Sequence, residues 1–257
     1  AHDRIVLIST HIVPDVEYIA MQNAIMKDGR IIETGTTQEL VERMKTIAAG
    51  GCAMIIIGDV PVAKSRFEKS LFDKKGFAFY QQICETAHKY GCKVCAQLHQ
   101  TDTDMMSIIK CIPGMLMKKI TPDQLRERMN DAVGPYITKM SQKKIHQIID
   151  GFGKAAVLAK QAGFDMVQVH GDRMCGSFSS AIFNHRTDEY GGDAVGRGKL
   201  ALDMCRAIKA ACGKDFLIDL WIAGEEEPGG ITAEDTVSFA KAAEGIVDIL
   251  QIRGGNI

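Results

Sequence analysis

Apolar and polar positions follow two different periods along the chain. Short β-branched apolar runs occupy 4–9, 52–57, 93–98, 165–170, 216–222 and 248–252. Near-continuous apolar runs of this length suit strands buried on both faces, as in a parallel sheet. Between them lie longer segments whose apolar residues recur every three or four positions. Examples are Leu40-Met44-Ile47, Phe79-Ile83-Ala87, Ile145-Ile149-Phe152 and Leu200-Met204-Ile208. That spacing gathers apolar side chains on one face of a helix.

The punctuation agrees with the periods. Thr36 with Glu39, and Thr121 with Pro122 and Gln124, have the spacing of capping boxes at helix starts. Gly50-Gly51, Gly91, Gly163, Gly213 and Gly245 follow helical segments and precede strands. Strand, helix, glycine, strand, repeated, predicts parallel βα units, here six strands joined by five helices. Right-handed crossovers would curl these into a barrel or wind them into an open sheet. Two connections are long, 100–140 and 171–193, and both follow strands, where barrel enzymes keep their sites. Within the second, Met174 to Ser180 is rich in small residues and reads as a flexible, ligand-facing loop.

Composition narrows the class. The chain has 257 residues, a formal charge of −1, 46% hydrophobic residues and 25% charged residues. These values fit one soluble α/β domain of barrel size and exclude disordered, collagen-like and disulfide-stapled chains. A near-neutral balance argues against wholesale nucleic-acid binding, and no run of 18 apolar residues predicts a membrane-spanning helix. The eight cysteines are scattered through apolar segments, as suits reduced thiols in a cytoplasmic protein. Cys92 and Cys95 form a CxxC that reads as part of a strand, where residues three apart face opposite ways, so no metal site is expected. The opening residues, Ala1 and charged neighbours, show no apolar leader.

Chemistry gathers at the end of the fourth run. His170-Gly171-Asp172-Arg173 places His, Asp and Arg at a strand's carboxyl end, where they would face a barrel mouth. A salt-bridged loop anchor is the alternative reading of the same residues.

Further on, Asn184-Arg186-Thr187-Asp188-Glu189-Tyr190-Gly191-Gly192, interrupted by His185, resembles the NRTDEYGG signature of the old yellow enzyme family of flavin-dependent ene-reductases. The frame around it agrees. Ala159 through Gly163-Phe164-Asp165 resembles the family's AxxAGFD, Gln97-Leu98-His99 its QLxH, and Arg4-Ile5-Val6 its first strand. The resemblance implies a TIM (β/α)8 barrel carrying FMN at its carboxyl mouth. It assigns Gln97 to the flavin pyrimidine edge and His170 to the pair that grips the substrate carbonyl or the flavin edge. Gly58 and Asp59 fall near the flavin, and His11 falls where the family tunes it. The NRTDEYGG stretch is structural in the family, so Asp188 and Tyr190 are not assigned to catalysis.

The departures narrow the resemblance. Ser9-Thr10 stands for the family's Pro-Met, Asp102-Thr103 for its Gly-Arg, Arg173 for its second His or Asn, Cys175 for its proton-donating Tyr, and Trp221 for its flavin-facing Arg. His-Gly-Asp-Arg is similar to the branch of bilirubin reductases of anaerobic gut bacteria. That branch implies Asp172 and Arg173 as the catalytic pair and reduction of bilirubin to urobilinogen by hydride from FMN. Ser9, Thr10, Gly58, Gln97 and His170 are then cofactor residues, and Arg173, Cys175 and His11 substrate residues. Arg173 would stabilise developing charge or clamp a carboxylate; Asp172 would position Arg173 or deliver a proton through water.

Methionines between Met105 and Met117 would line a wide apolar cleft or fill core. The rival readings are an ene-reductase of another conjugated carbonyl and a redox-inactive barrel scaffold. Electrons would come from NAD(P)H or from an electron-transfer partner protein, with FAD or an iron–sulfur cluster only if other segments supply them; a homo-oligomer is also open. Six strands, where a barrel needs eight, predict a single domain over 1–257 lacking its last one or two βα units.

Overall fold

The computed structural model describes residues 7–10, 23–27, 30–35, 37–65, 68–103, 111 and 121–254. His11, Thr36 and the methionines between Met105 and Met117 lie outside the described residues. The elements in chain order are β1 (Leu7–Thr10), β2 (Asn23–Lys27), β3 (Arg30–Gly35), α1 (Thr37–Ala49), β4 (Met54–Pro61), α2 (Lys74–His88) and β5 (Lys93–His99). They continue as α3 (Pro122–Lys139), α4 (Gln142–Ala162), β6 (Met166–Val169), α5 (Arg173–Ser179), α6 (Ala194–Cys212), β7 (Leu217–Ala223), α7 (Ala233–Ala243) and β8 (Ile249–Arg253).

Six strands form one sheet in the order β1-β4-β5-β6-β7-β8. The pairs β1–β4, β4–β5 and β5–β6 are parallel, with Ser9 opposite Ile56 and Gln97 opposite Gln168. These are the six runs read from the sequence. The glycines that separate helix from strand at 51, 91, 163, 213 and 245 all have positive φ, between 73° and 99°. That backbone region ends a helix at little cost when the residue lacks a Cβ. Two features differ from the expectation. β2 and β3 form an antiparallel hairpin, and the stretch from Met174 to Ser180 is mostly helix, not a flexible loop. Within α5, Met174, Cys175, Ser177 and Phe178 are buried. The Met174–Phe178 spacing of four residues puts both on one helix face, and their burial is what the small residues around them permit.

The chain divides into two compact units. The first comprises 1–99, 150–169 and 205–219; the second comprises 100–149, 170–204 and 220–257. In the first, Ile56, Cys95 and Met166 from three neighbouring strands pack together with Met54 against them. Leu40, Val41, Met44 and Ala48 of α1 and Tyr80, Ile83, Cys84 and Ala87 of α2 are buried. Asp165, at the start of β6, accepts hydrogen bonds from Lys93 Nζ (2.8 Å) and the Val94 backbone N–H (2.9 Å), and its other contact is His88 Nε2 (2.8 Å). The Gly163-Phe164-Asp165 frame therefore ties one strand to the next.

In the second unit, the Thr121 capping box forms as predicted, with Thr121 Oγ1 accepting from the Gln124 N–H at 3.2 Å and Gln124 Oε1 accepting from the Thr121 N–H at 3.0 Å. The signature loop at 184–192 is a brace. Asn184 Nδ2 donates to the Phe178 and Tyr190 carbonyls at 2.6 and 2.7 Å. Arg186 Nη1 donates to the carbonyls of Ile137, Thr138 and Met140 at 2.9, 3.2 and 2.7 Å, satisfying the orphan carbonyls at the end of α3. The rest of its guanidinium pairs with Asp188, which holds that carboxyl below the usual carboxylate range. Arg197 donates to the Ser179 and Gly192 carbonyls at 2.9 and 2.6 Å and to Asp235 at 3.0 Å.

Candidate functional site

Polar residues buried inside apolar strands cost free energy unless hydrogen-bonded, so they mark what a strand is for. The first unit carries a row of them. Gln97 on β5 and Gln168 on β6 are each 2% exposed, and Asp219 on β7 is 4% exposed. Gln97 Nε2 donates to Gln168 Oε1 at 2.6 Å, and Gln168 Nε2 donates to Asp219 Oδ2 at 2.5 Å. At the other end, Gln97 Oε1 accepts from the Asp59 backbone N–H at 3.4 Å. The row has one polarity. Asp219 as a carboxylate can only accept, so Gln168 turns its amide nitrogen toward it and its carbonyl toward Gln97. Gln97 is set in turn.

The β4 end of the row is irregular. Its register against β5 shifts between Ile57 and Val60, so Gly58 and Asp59 form a bulge. Asp59 has a φ of 52°, the one described non-glycine residue in the left-handed region. Such strain persists where surrounding structure over-determines it, and it concentrates at functional positions. At the far end Asp219 Oδ1 is buried with no hydrogen-bond partner among the described residues. Burial raises the Asp219 carboxyl above its ordinary value, against the opposing pull of the Gln168 N–H.

Ser9 and Thr10 lie on β1, which runs through both residues. Ser9 is inside the predicted run, and Thr10 extends the strand one residue beyond it. Their side chains are outside the described residues.

The second cluster is built from unit two. His170 is 5% exposed and follows β6 directly. Its Nδ1 accepts from the Asp172 backbone N–H at 3.2 Å. A neutral His170 therefore carries its proton on Nε2, as a donor. Its ring stacks on Trp221 with centroids 4.9 Å apart. Gly171 lies against β7 so closely that a Cβ there would overlap the Trp221 carbonyl oxygen. Asp172 occupies the N-cap position of α5 but makes no side-chain cap bond. Its carboxylate pairs with Arg253 at the end of β8. The Arg253 guanidinium sits 5.4 Å from the Trp221 ring centroid, within cation–π range.

This arrangement corrects one expectation: Asp172 is engaged by Arg253, not aimed at Arg173. Arg173 is exposed at the first position of α5 and has no hydrogen-bond or ion-pair partner among the described residues. Cys175 is 3% exposed, with its Sγ 3.4 Å from Met204 Sδ. Burial pushes its thiol up to about 12, which makes it a poor proton donor near neutral pH. Asp102, in the place of the family's Gly-Arg, accepts from Ser177 Oγ. Sequence reasoning missed Gln168, Asp219 and Arg253. The signal for each was a polar residue inside or ending an apolar strand run, the same signal that singled out Gln97 and His170.

The residues fit a flavin ring edge. Gln97 is buried, yet Gln168 and Asp59 take only one of its N–H groups and one of its lone pairs. An amide has two of each, so among the described residues a donor and an acceptor remain side by side, as the alternating edge of a pyrimidine ring requires.

The sequence pattern of the NADH:flavin oxidoreductase / NADH oxidase family matches residues 20–254. The chain belongs to this family. It is 55% identical over 226 residues to the bilirubin reductase of Clostridium symbiosum (strain WAL-14163), covering 84% of this chain and 60% of that protein. It is 29% identical over 237 residues to the bilirubin reductase of Mediterraneibacter gnavus (strain CC55_001C), covering 90% of this chain and 35% of that protein. The fold matches the crystal structure of Old Yellow Enzyme from Pichia sp. AKU4542, with a TM-score of 0.65 at 20% identity over 84% of this chain and 62% of that one. The chain has the barrel fold of these enzymes and spans at most about three fifths of the two bilirubin reductases. Among the described residues no helix is long and apolar enough to cross a membrane, and no group of three His, Cys, Asp or Glu is placed to hold a metal ion.

Proposed function

We propose that this chain is the FMN-binding part of a reductase that saturates conjugated C=C bonds of a tetrapyrrole, with bilirubin as substrate and NAD(P)H as electron source. The observation that carries the reading is the His170-Gly171-Asp172-Arg173 turn. It leaves a barrel strand at its carboxyl end with a buried imidazole, a held carboxylate and an exposed guanidinium, in a chain 55% identical to a bilirubin reductase.

When bound, reduced FMN supplies a hydride, two electrons with one proton. The chain's residues do the rest. Gln97, oriented through Gln168 by Asp219, binds the ring edge through its remaining N–H and lone pair. His170 offers its Nε2–H to a carbonyl oxygen, where negative charge develops as the far carbon of the conjugated double bond accepts the hydride. Arg173, exposed and unpaired among the described residues, binds a substrate carboxylate through its fork. Asp172 holds a water that relays a solvent proton to the nearer carbon, so that hydride plus proton saturate one double bond.

The test is anaerobic. The flavin-loaded chain is reduced and then mixed with bilirubin or with 2-cyclohexenone. Reoxidation by bilirubin supports the reading, whereas reoxidation by the enone alone assigns the chain to another ene-reductase specificity.

A further inference from the structure

We propose that Arg253 is a positioning residue of this site: its guanidinium anchors the Asp172 carboxylate and lies over Trp221, leaving Arg173 to the substrate. The proposal rests on the reading above that Asp172 and His170 belong to the reacting site. Four contacts carry it, all within the second unit. Asp172 is bonded to Arg253. Arg253 lies 5.4 Å from the Trp221 ring centroid. Trp221 stacks on His170 at 4.9 Å. His170 Nδ1 accepts from the Asp172 backbone N–H at 3.2 Å, which closes the ring.

The arrangement is unusual in what it forgoes. An Asp at an N-cap ordinarily satisfies backbone N–H groups of the first helical turn, for about 0.5–2 kcal/mol relative to Ala. Asp172 has that place but makes no such bond. Its carboxylate is spent on an arginine 81 residues further along the chain. Two arginines thus have different tasks. The side chain of Arg253 is only 17% exposed and tied to Asp172, whereas Arg173, next to Asp172 in sequence, is exposed with no partner among the described residues. The Arg253 Nη1 contact fixes where the Asp172 carboxylate oxygen Oδ2 lies. Arg253 therefore sets where Asp172 holds its water, and it brings a positive charge to the Trp221 face beside His170.

The decisive experiment is a double-mutant cycle in the full chain with Arg253→Met, Asp172→Asn and the pair. Its first readout is the emission of Trp221, the chain's single tryptophan, recorded without flavin or substrate. Arg253→Met removes the cation from the ring. Asp172→Asn removes only its anchor, and the emission should shift in the same direction, with the double variant matching Arg253→Met. The second readout is bilirubin turnover by the flavin-loaded chain. Each single variant should lower kcat about 10- to 100-fold, the range of a hydrogen bond to a charged group, with KM little changed. The double variant should lose no more than the larger single loss. Arg253→Lys keeps the charge without the fork and should recover part of the lost kcat. Additive losses in the double variant, or Trp221 emission unchanged by Asp172→Asn, overturn the proposal. If a variant melts early, Arg253→Lys with its emission and kcat/KM split still decides. If the unmodified chain does not turn over bilirubin, the substrate reading fails and the emission cycle still judges Arg253.

Discussion

Single positions in this chain are fixed by neighbours far away in sequence. Gly171 is required because the chain passes against the Trp221 carbonyl with no room for a methyl group. Gly171→Ala should therefore cost at least the about 1–3 kcal/mol typical of overpacking. The thermal midpoint measures this, and an unchanged midpoint would mean that the turn is looser than described. Asp219 makes the opposite case, a residue held at a cost. Its carboxyl is raised by burial, so the native state binds the proton more tightly than the unfolded chain. The ionised form costs stability at neutral pH. The cost is relieved as pH falls through the raised native value and is gone below about 3.9, the ordinary value. The difference in thermal midpoint between the natural chain and Asp219→Asn should accordingly move in favour of the natural chain from neutral pH toward pH 4. The same variant should weaken FMN binding about tenfold, because an Asn amide can donate as well as accept and so no longer fixes which way the Gln168 and Gln97 amides turn. Equal FMN affinity in both proteins would remove Asp219 from the binding row.

At the scale of elements, the 184–192 loop holds the end of α3 and the start of α6 through Arg186, Asp188, Asn184 and Arg197. The Arg186 hydrogen bonds lower the Asp188 carboxyl. Its contribution is present above the unfolded value of about 3.9 and is lost as pH falls through the lower native value. The midpoint difference between the natural chain and Asp188→Asn should be largest near pH 6 and close toward pH 2–3; a difference independent of pH would refute the pairing.

The strands after the first in the six-stranded sheet were legible because each is a short apolar run preceded by a glycine with positive φ that ends a helix. The hairpin was less so, although Asp28-Gly29 between β2 and β3 is a two-residue turn signal. A search for alternating strands and helices passes over a hairpin placed between two βα units. α5 is seven residues long, too short for helical periodicity to emerge, and its glycine and serines imitate a loop. Within the site, Gln97, His170, Asp172 and Arg173 stood out from local patterns. Arg253 did not, since its meaning lies in a partner 81 residues away that only folding brings near.

At the scale of the whole molecule, family membership and barrel fold rest on a match over residues 20–254 and on the similarity to Old Yellow Enzyme. The reaction is the proposal built on them. The chain spans 60% of one bilirubin reductase and 35% of another, so the most direct test uses this chain itself. Purified protein is loaded with FMN, reduced without oxygen and mixed with bilirubin; at intervals the protein is separated from the free pigment, which absorbs where flavin does, and the redox state of its flavin is read. The expected result is that oxidised flavin appears in step with the loss of bilirubin, one flavin oxidised for each double bond saturated. Flavin that stays reduced with bilirubin and is reoxidised by 2-cyclohexenone would contradict it.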